Sequence, residues 1–350
     1  MKIMHAVSVA RTDGENIRLA SLLSGLSERF EIELMAPEGS ALFPMLRGTR
    51  VKQIPIRSEG NRDFSLTDVY KMQRVMRSER PDAVHSHASR SARAAARMCG
   101  VSCLVSECGG FVPPALRRSL CPAARGRRGE YTVLASEILT GELISRGASP
   151  SRIAHLGCGA PELALSGEGE GVTVTAKCLC PDEYRLVISA AARAARAADF
   201  RTLLFVPEGA RREALRAAAL FSSGADIEIR PLSRLSEYLP SRNTLFVYPV
   251  LRDERLPILP MRFMSASLPL AVSATAANRE FFAEGSEALF FIPGDPFSLA
   301  ECILRIISDE ALWNKLSHGA RAAWESRYSS EKMLEEYGNF YLALGGAPSS

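Results

Sequence analysis

Residues 254–296 read ERLPILPMRFMSASLPLAVSATAANREFFAEGSEALFFIPGDP, and this stretch decides the fold. A polar segment leads into a short apolar run, Met261–Ala266, that reads as helical. An apolar strand, Leu268–Val272, is followed by a loop of small residues, Ser273–Ala277, and a helix start at Asn278-Arg279-Glu280. A second strand, Ala288–Ile292, runs into a turn at Pro293-Gly294-Asp295-Pro296. A buried strand that opens into such a loop and a helix N-terminus can present backbone N–H groups to an anionic ligand.

Outward from this stretch the same alternation continues. Lys2–Val9 is apolar enough for a first strand, and Thr12-Asp13-Gly14-Glu15 reads as a turn into a helix over Asn16–Leu26. Leu19, Leu22, Leu23 and Leu26 fall on one face of that helix. Strands are predicted at Glu31–Ala36, Val51–Ile56, Pro81–His87, Val101–Ser106, Tyr131–Ala135 and Arg152–Leu156. The helices between them are Leu66–Glu79, Ser91–Cys99 and Ser136–Arg146. Pro161–Gly171 is polar and glycine-rich and reads as a linker. Beyond it, strands at Val172–Thr175, Thr202–Val206, Ile227–Ile229 and Leu245–Tyr248 alternate with helices at Leu186–Ala198 and Arg211–Phe221. Three helices close the chain: Leu299–Ile307, Glu310–Arg327 and Glu331–Leu344. The pattern is α/β, with parallel sheets covered on both faces. Ligands in such folds bind at the carboxyl ends of the strands.

With 350 residues, 47% of them hydrophobic and 23% charged, the chain has material for two α/β domains and is neither disordered nor fibrous. No apolar run approaches the roughly 20 residues of a membrane span. Arg11-Thr12-Asp13-Gly14 interrupts the first apolar run where a signal peptide would continue, so that run is read as a strand. The eight cysteines are scattered among apolar neighbours, and Cys178 and Cys180 would point the same way on a strand. Cys99, Cys103 and Cys108 have no matching His or Cys pair at zinc-site spacing, which implies reduced, mostly buried thiols in a cytoplasmic protein. His85 and His87 would suit a metal in isolation. With no third ligand nearby in sequence, a packed or hydrogen-bonded role is expected and no metal.

The net charge of +4 conceals an asymmetry: residues 1–165 carry 23 Lys and Arg against 16 Asp and Glu, and the remainder 20 against 23. A basic first half suits an anionic surface or acceptor, with a solvated face as the plainer reading. No Lys/Arg cluster is interleaved with aromatics, so nucleic acid is not an expected partner. Pro113–Gly129 concentrates Arg117, Arg118, Arg125, Arg127 and Arg128 in a proline-punctuated loop. Its plain reading is a solvated loop; its sharper one is peripheral contact with phosphates at the inner face of a membrane, or with a phosphorylated acceptor. No nucleophile elbow, dinucleotide fingerprint or P-loop occurs.

On the residues of the opening stretch the chain resembles the family 4 glycosyltransferases, retaining enzymes of the GT-B type. The family pattern runs roughly E-G-F-G, three apolar positions, E-A-M-A, then G-L-P-V-V and a loop leading to a helix. Arg262-Phe263-Met264-Ser265 stands in the E-A-M-A place and Ser267-Leu268-Pro269-Leu270-Ala271 in that of G-L-P-V-V, while Asn278-Arg279-Glu280 and the Pro293 turn match. The resemblance implies two Rossmann-like domains facing each other across a cleft. They would be an acceptor-side domain over 1–165 and a donor domain over 166–330. A terminal helix and tail over 331–350 would return to the first domain through Lys332–Tyr341.

The resemblance also implies site residues. Asp13-Gly14-Glu15 occupies the place of a Gly-Gly loop near the donor diphosphate. Val84-His85-Ser86-His87 matches a V-H-x-H strand end, and Ser106-Glu107-Cys108-Gly109 the loop where the family carries His before Gly. His87, Glu107 and Cys108 are thereby assigned to the acceptor side of the cleft. A thiol cannot reproduce the donor and acceptor pair of an imidazole. Ala176-Lys177 takes the place of Gly-Arg beside the diphosphate, and Glu183 falls where the family has a second cation. A carboxylate there would repel a diphosphate. Glu254 matches the first of two glutamates eight positions apart and is the candidate catalytic residue. Arg262 stands for the second and cannot accept from a ribose diol, so it would pair with phosphate or with Glu254. Arg255 and Pro257 replace two glycines, and Ala276-Ala277 replaces Gly-Gly while keeping N–H groups for the donor.

The implied activity is transfer of a hexose from a nucleotide diphosphate sugar to a glycan or lipid-linked acceptor in cell-surface polysaccharide assembly. No cofactor or metal is implied, because cations of the chain would balance the departing diphosphate. The alternative is a weakened or inactive member that binds or regulates a glycan-assembly complex, since His, Lys and Glu are each replaced. A GT-B-type epimerase is a third reading, because fold does not fix chemistry.

Overall fold

The structure is a computed structural model describing residues 1–7, 13–58, 64–87, 89–108, 129–251 and 256–345, with Asp13 and Cys108 described by backbone alone. Two compact units emerge, one built mainly from residues up to Ala160 and from Ser330 onward, the other from Pro161 to Ser329.

The first unit holds a seven-stranded parallel sheet in the order β3-β2-β1-β4-β5-β6-β7. Its strands are β1 (Lys2–Val7), β2 (Glu31–Pro37), β3 (Lys52–Ile56), β4 (Ala83–His87), β5 (Cys103–Cys108), β6 (Glu130–Leu134) and β7 (Ile153–His155). Between them run α1 (Asp13–Leu26), the one-turn α2 (Leu42–Met45), α3 (Leu66–Glu79), α4 (Arg90–Cys99) and α5 (Glu137–Ser145). Local chemistry sets several ends. The Ser65, Ser89 and Ser136 hydroxyls accept from the N–H three residues on, capping α3, α4 and α5. Gly100 closes α4 at φ 66°, where a side chain would be strained. Leu19, Leu22, Leu23 and Leu26 bury one face of α1 against Ile3, Ile32 and Leu34.

The second unit holds a six-stranded parallel sheet in the order β10-β9-β8-β11-β12-β13. These strands are β8 (Thr173–Lys177), β9 (Arg201–Val206), β10 (Ile227–Pro231), β11 (Thr244–Tyr248), β12 (Leu270–Ser273) and β13 (Leu289–Phe291). Its helices are α6 (Pro181–Ala194), α7 (Arg211–Phe221), α8 (Ile258–Ser265), α9 (Ala276–Phe281), α10 (Pro296–Ser308) and α11 (Glu310–Ala323). The core is almost wholly apolar, from Val174, Leu245, Val247 and Ala271 in the sheet to Ile303, Ile306 and Leu316 in the covering helices. A π-helical turn, Trp324–Tyr328, follows α11, and the last helix, α12 (Ser330–Gly345), belongs to the first unit.

Three expected starts move toward the N-terminus. α1 begins at Asp13 rather than Asn16, α6 at Pro181 rather than Leu186, and α9 at Ala276 rather than Asn278. The first turns of α1 and α9 are polar or small, and that of α6 opens on Pro181 and two acids, so apolar spacing does not register them. Cys178 and Cys180 do not share a strand face, because β8 ends at Lys177 and Cys180 is the N-cap residue of α6. The six cysteines with described side chains are all free thiols.

Candidate functional site

Each sheet reverses the direction in which strands are added, between β1 and β4 in the first and between β8 and β11 in the second. Loops diverge at such switch points, which makes the carboxyl ends there the usual ligand positions of open α/β sheets.

In the second unit Lys177 is the last residue of β8, in register with Phe205, and its side chain is largely buried. Two strands away, β12 ends at Ser273 and the chain enters α9 through Ala274 and Thr275. This turn is held from within. Asn278 Nδ2 donates to the Ser273 carbonyl at 2.8 Å and to Ser273 Oγ at 3.2 Å, while Thr275 Oγ1 accepts from the Asn278 N–H at 3.3 Å. Ala276 and Ala277 form the first turn of α9, whose opening N–H groups have no place in the helical ladder.

Glu183, expected opposite a diphosphate, has another partner. Its carboxylate accepts from the Leu179 N–H at 2.5 Å and caps the start of α6. Arg262 sits on α8, half-buried, and burial pulls its guanidinium pKa down. Its buried Nε has no hydrogen-bond partner among the described residues. Glu254 and the basic residues Arg117, Arg118, Arg125, Arg127 and Arg128 lie outside the described residues, as do the side chains of Asp13 and Cys108. Gly14 is buried as the second residue of α1.

The switch point of the first unit is filled by ionisable side chains. Strand register sets His5 of β1 beside His85 of β4, and His87 beside Glu107 of β5. The three imidazoles stack, with His85 and His87 centroids 4.5 Å apart and both within about 5 Å of His5. His5 Nδ1 lies 2.8 Å from His87 Nε2, and His87 Nδ1 lies 2.6 Å from Glu107 Oε2. His85 Nε2 is 3.4 Å from the same Oε2, and its Nδ1 is 2.5 Å from the Tyr341 hydroxyl of α12. Tyr337, one turn earlier, donates to Glu107 Oε1 at 3.2 Å, and the Arg18 guanidinium of α1 pairs with that oxygen.

All seven side chains are at most 4% exposed. Burial alone would raise the pKa of Glu107, but Arg18 and the two imidazoles hold it well below the usual carboxylate range. Burial, with His85 and His87 nearby, holds His5 well below an ordinary imidazole. The expectation that His85 and His87 have no third nitrogen partner therefore fails, because His5 supplies one from 80 residues earlier. Nothing local in the sequence announces it. His87 and Glu107, assigned to the acceptor side, have their polar atoms engaged with His5, His85, Arg18 and Tyr337 inside the first unit.

Sequence comparison now adds to this geometry. The model of Glycosyltransferase Family 4 matches residues 12–159, and that of Glycosyl transferases group 1 matches residues 172–309, so the two together span most of the chain. The chain belongs to glycosyltransferase family 4. No curated protein matches it in sequence. Among solved structures it is similar to HepE of Anabaena, in complex with UDP and glucose, at 13% identity and TM-score 0.78 over 98% of this chain and 100% of that one. A glycosyltransferase of Rickettsia africae aligns at 12% identity and TM-score 0.77 over 99% of both chains. Sucrose-phosphate synthase of Thermosynechococcus elongatus aligns at 13% and 0.76 over 99% of this chain and 100% of that one.

At such identities the likeness is one of fold, and that fold is GT-B. Within this family 4 member, Lys177 and the turn before α9 stand at the carboxyl ends of β8 and β12, two strands apart in one sheet. Sequence reasoning missed His5, Arg18, Tyr337 and Tyr341, whose grouping depends on strand order and on where the last helix packs. Among the described residues no helix is long and apolar enough to cross a membrane.

Proposed function

We propose that the protein transfers a hexose, with retention and without a metal ion, from a nucleotide diphosphate sugar to a glycan or lipid-linked acceptor. The observation that carries this reading is the position of Lys177 at the switch point of the second sheet, with the first turn of α9 two strands away. A cation and a set of backbone N–H groups at carboxyl ends of the same sheet suit a departing diphosphate, which gathers negative charge as the glycosidic bond breaks. Arg262 adds a second cation on the donor side, in place of a ribose-binding carboxylate. Glu254 is assigned to the sugar through its place in the family pattern. Work at the cytoplasmic face of a membrane, with Arg117, Arg118, Arg125, Arg127 and Arg128 on lipid phosphates, completes the proposal.

Nucleotide binding tests it. UDP or GDP at a hundred times Kd stabilises a site by about 2.7 kcal/mol, visible as a raised Tm. Lys177→Glu should abolish that rise, and Glu254→Ala should lower transfer while leaving the rise in place. No rise with any nucleotide would exclude the donor-site reading. A second reading, a binding or regulatory member without activity, is favoured by Arg262 in place of the ribose-binding carboxylate. It predicts nucleotide binding with neither transfer nor hydrolysis of the bound sugar.

A further inference from the structure

The transferase reading makes no use of the buried network in the first unit. We propose that this network is an acid-sensitive latch, fastening the last helix, α12, to the first unit and releasing it when His5 takes up a proton.

The hydrogen positions follow from the contacts. A ring nitrogen 2.6 Å from a carboxylate must carry a hydrogen, so His87 is protonated at Nδ1 and offers the lone pair of Nε2 to His5 Nδ1–H at 2.8 Å. His85 turns Nε2–H toward Glu107 and accepts the Tyr341 hydroxyl at Nδ1. Charge is thus balanced, with the single negative charge of Glu107 matched by Arg18 and the His85 and His87 contacts to Glu107 made at ion-pair distance rather than in hydrogen-bond geometry. The ring nitrogen left for a proton is His5 Nε2, 3.4 Å from the Tyr341 oxygen. A proton there adds an unmatched positive charge where no water reaches, facing Arg18 from α1 and the other imidazoles from β4. Tyr337 and Tyr341 from α12, Glu107 and Cys103 from β5, and Cys158 beside Arg18 complete the titratable surroundings.

A metal ion fits this geometry less well than a proton. Two imidazoles bound to one tetrahedral zinc at about 2.0–2.1 Å place their nitrogens roughly 3.3 Å apart. His5 and His87 stand at hydrogen-bond distance, with rings nearly parallel at 19° rather than converging.

The element that would yield is α12, which contributes both tyrosines from outside the sheet. It holds the backbone on both sides of the buried Cys158. The Gly157 N–H donates to Glu336 at 2.6 Å and the Gly159 N–H to Met333 Sδ at 3.3 Å. Two glycines sit where α12 passes α1 and the turn after it, against side-chain ends that can shift. A Cβ at Gly25 would stand 2.5 Å from Leu334, and one at Gly338 would stand 2.7 Å from the Arg29 guanidinium.

Thiol labelling of the full-length protein with a dithiodipyridine, which stays reactive in acid, tests the latch. Labels are located by mass spectrometry, with Cys178 and Cys302, buried in the second unit, as internal controls. If His5 titrates near its ordinary 6.5 once the helix is off, opening is about tenfold easier at about pH 5.5 than at about pH 7.5. Cys158 labelling should rise by that factor while Cys178 and Cys302 stay protected. His5→Asn keeps an N–H near the Nδ1 position but cannot titrate, and should flatten the response. Should that variant not fold, Tyr341→Phe should speed Cys158 labelling already at about pH 7.5. The proposal is overturned by a flat Cys158 response, by one shared with Cys178 and Cys302, or by an undiminished response in His5→Asn. It is also overturned if the purified protein carries one zinc or copper per chain whose chelation exposes Cys158.

Discussion

The two sheets reverse at equivalent places, and the chain fills those places in opposite ways. Between β1 and β4 lie His5, His85 and His87, with Glu107, Arg18, Tyr337 and Tyr341 around them, all buried. Between β8 and β11 the buried neighbours are Val174, Ala176, Leu245, Phe246 and Val247 with the uncharged Thr175 and Thr244, and the charge, Lys177, comes only at the strand end. A parallel sheet covered on both faces is ordinarily apolar. The second unit follows that rule and keeps its cation where a ligand could meet it. The first breaks the rule, and a desolvated ion must then be matched partner for partner. Both units have apolar cores, but at its switch point the first adds a buried cluster of charge and imidazole that the second, among its described residues, lacks.

The largest expected effect comes from breaking the set. Arg18→Met leaves Glu107 charged and buried, and should cost about 3–5 kcal/mol in urea unfolding of the first unit. Adding Glu107→Gln to that variant should recover part of the loss, because the orphaned charge is then gone. If Arg18→Met costs less than about 1 kcal/mol, the pair is not what the first unit depends on. On the other side, Leu245→Ala removes buried volume from the second core and should cost about 2–5 kcal/mol. This loss should not change between about pH 5 and 8, because no titratable group needs rearranging.

Acid should separate the units further. The folded-state pKa of His5 lies below its unfolded value, so its contribution is complete above about pH 6.5 and is lost as pH falls below that. Glu107, also held low, loses its contribution in turn as pH drops through the carboxylate range. Both signs point the same way. Thermal unfolding followed by probes in each unit should show the first unit losing stability on acidification ahead of the second. Parallel loss in both would remove the contrast.

How much of this could be read in the sequence follows the same division. Leu66–Glu79 and Arg211–Phe221 were legible to the residue, because apolar spacing and capping chemistry are local. The order of strands was not local, and with it went the meeting of His5 with His85 and His87 across a crossover. In the sequence, Tyr337 and Tyr341 figure only as part of a helix, Lys332–Tyr341, expected to return to the first domain. Their hydroxyls acquire a role only through residues more than 200 positions earlier. Lys177 stands out only by its place in the family pattern, just beyond the expected end of the strand, and β8 runs on to include it. At the candidate site the frame was readable, and what each polar group touches was not.

Glu183 gives the smallest effect and the finest test. Set against the family pattern it is a carboxylate where a cation belongs, and reads as damage to a diphosphate site. Proline at the first position of α6 with acids directly behind it is equally a helix-start signal, and the contact from the Leu179 N–H follows that signal. The two interpretations differ in what removal does. If Glu183 caps α6, Glu183→Ala should cost about 0.5–2 kcal/mol of stability and leave UDP affinity unchanged. Glu183→Gln, which keeps an acceptor oxygen, should cost less. If instead the carboxylate faces the nucleotide, Glu183→Ala should tighten UDP binding and leave stability alone, and Glu183→Lys should tighten it further. Calorimetric titration of UDP beside urea unfolding of the same variants separates a helix cap from a lost cation. The cap is the expected result, because a carboxylate already accepting a backbone N–H repels a phosphate less than a free one would.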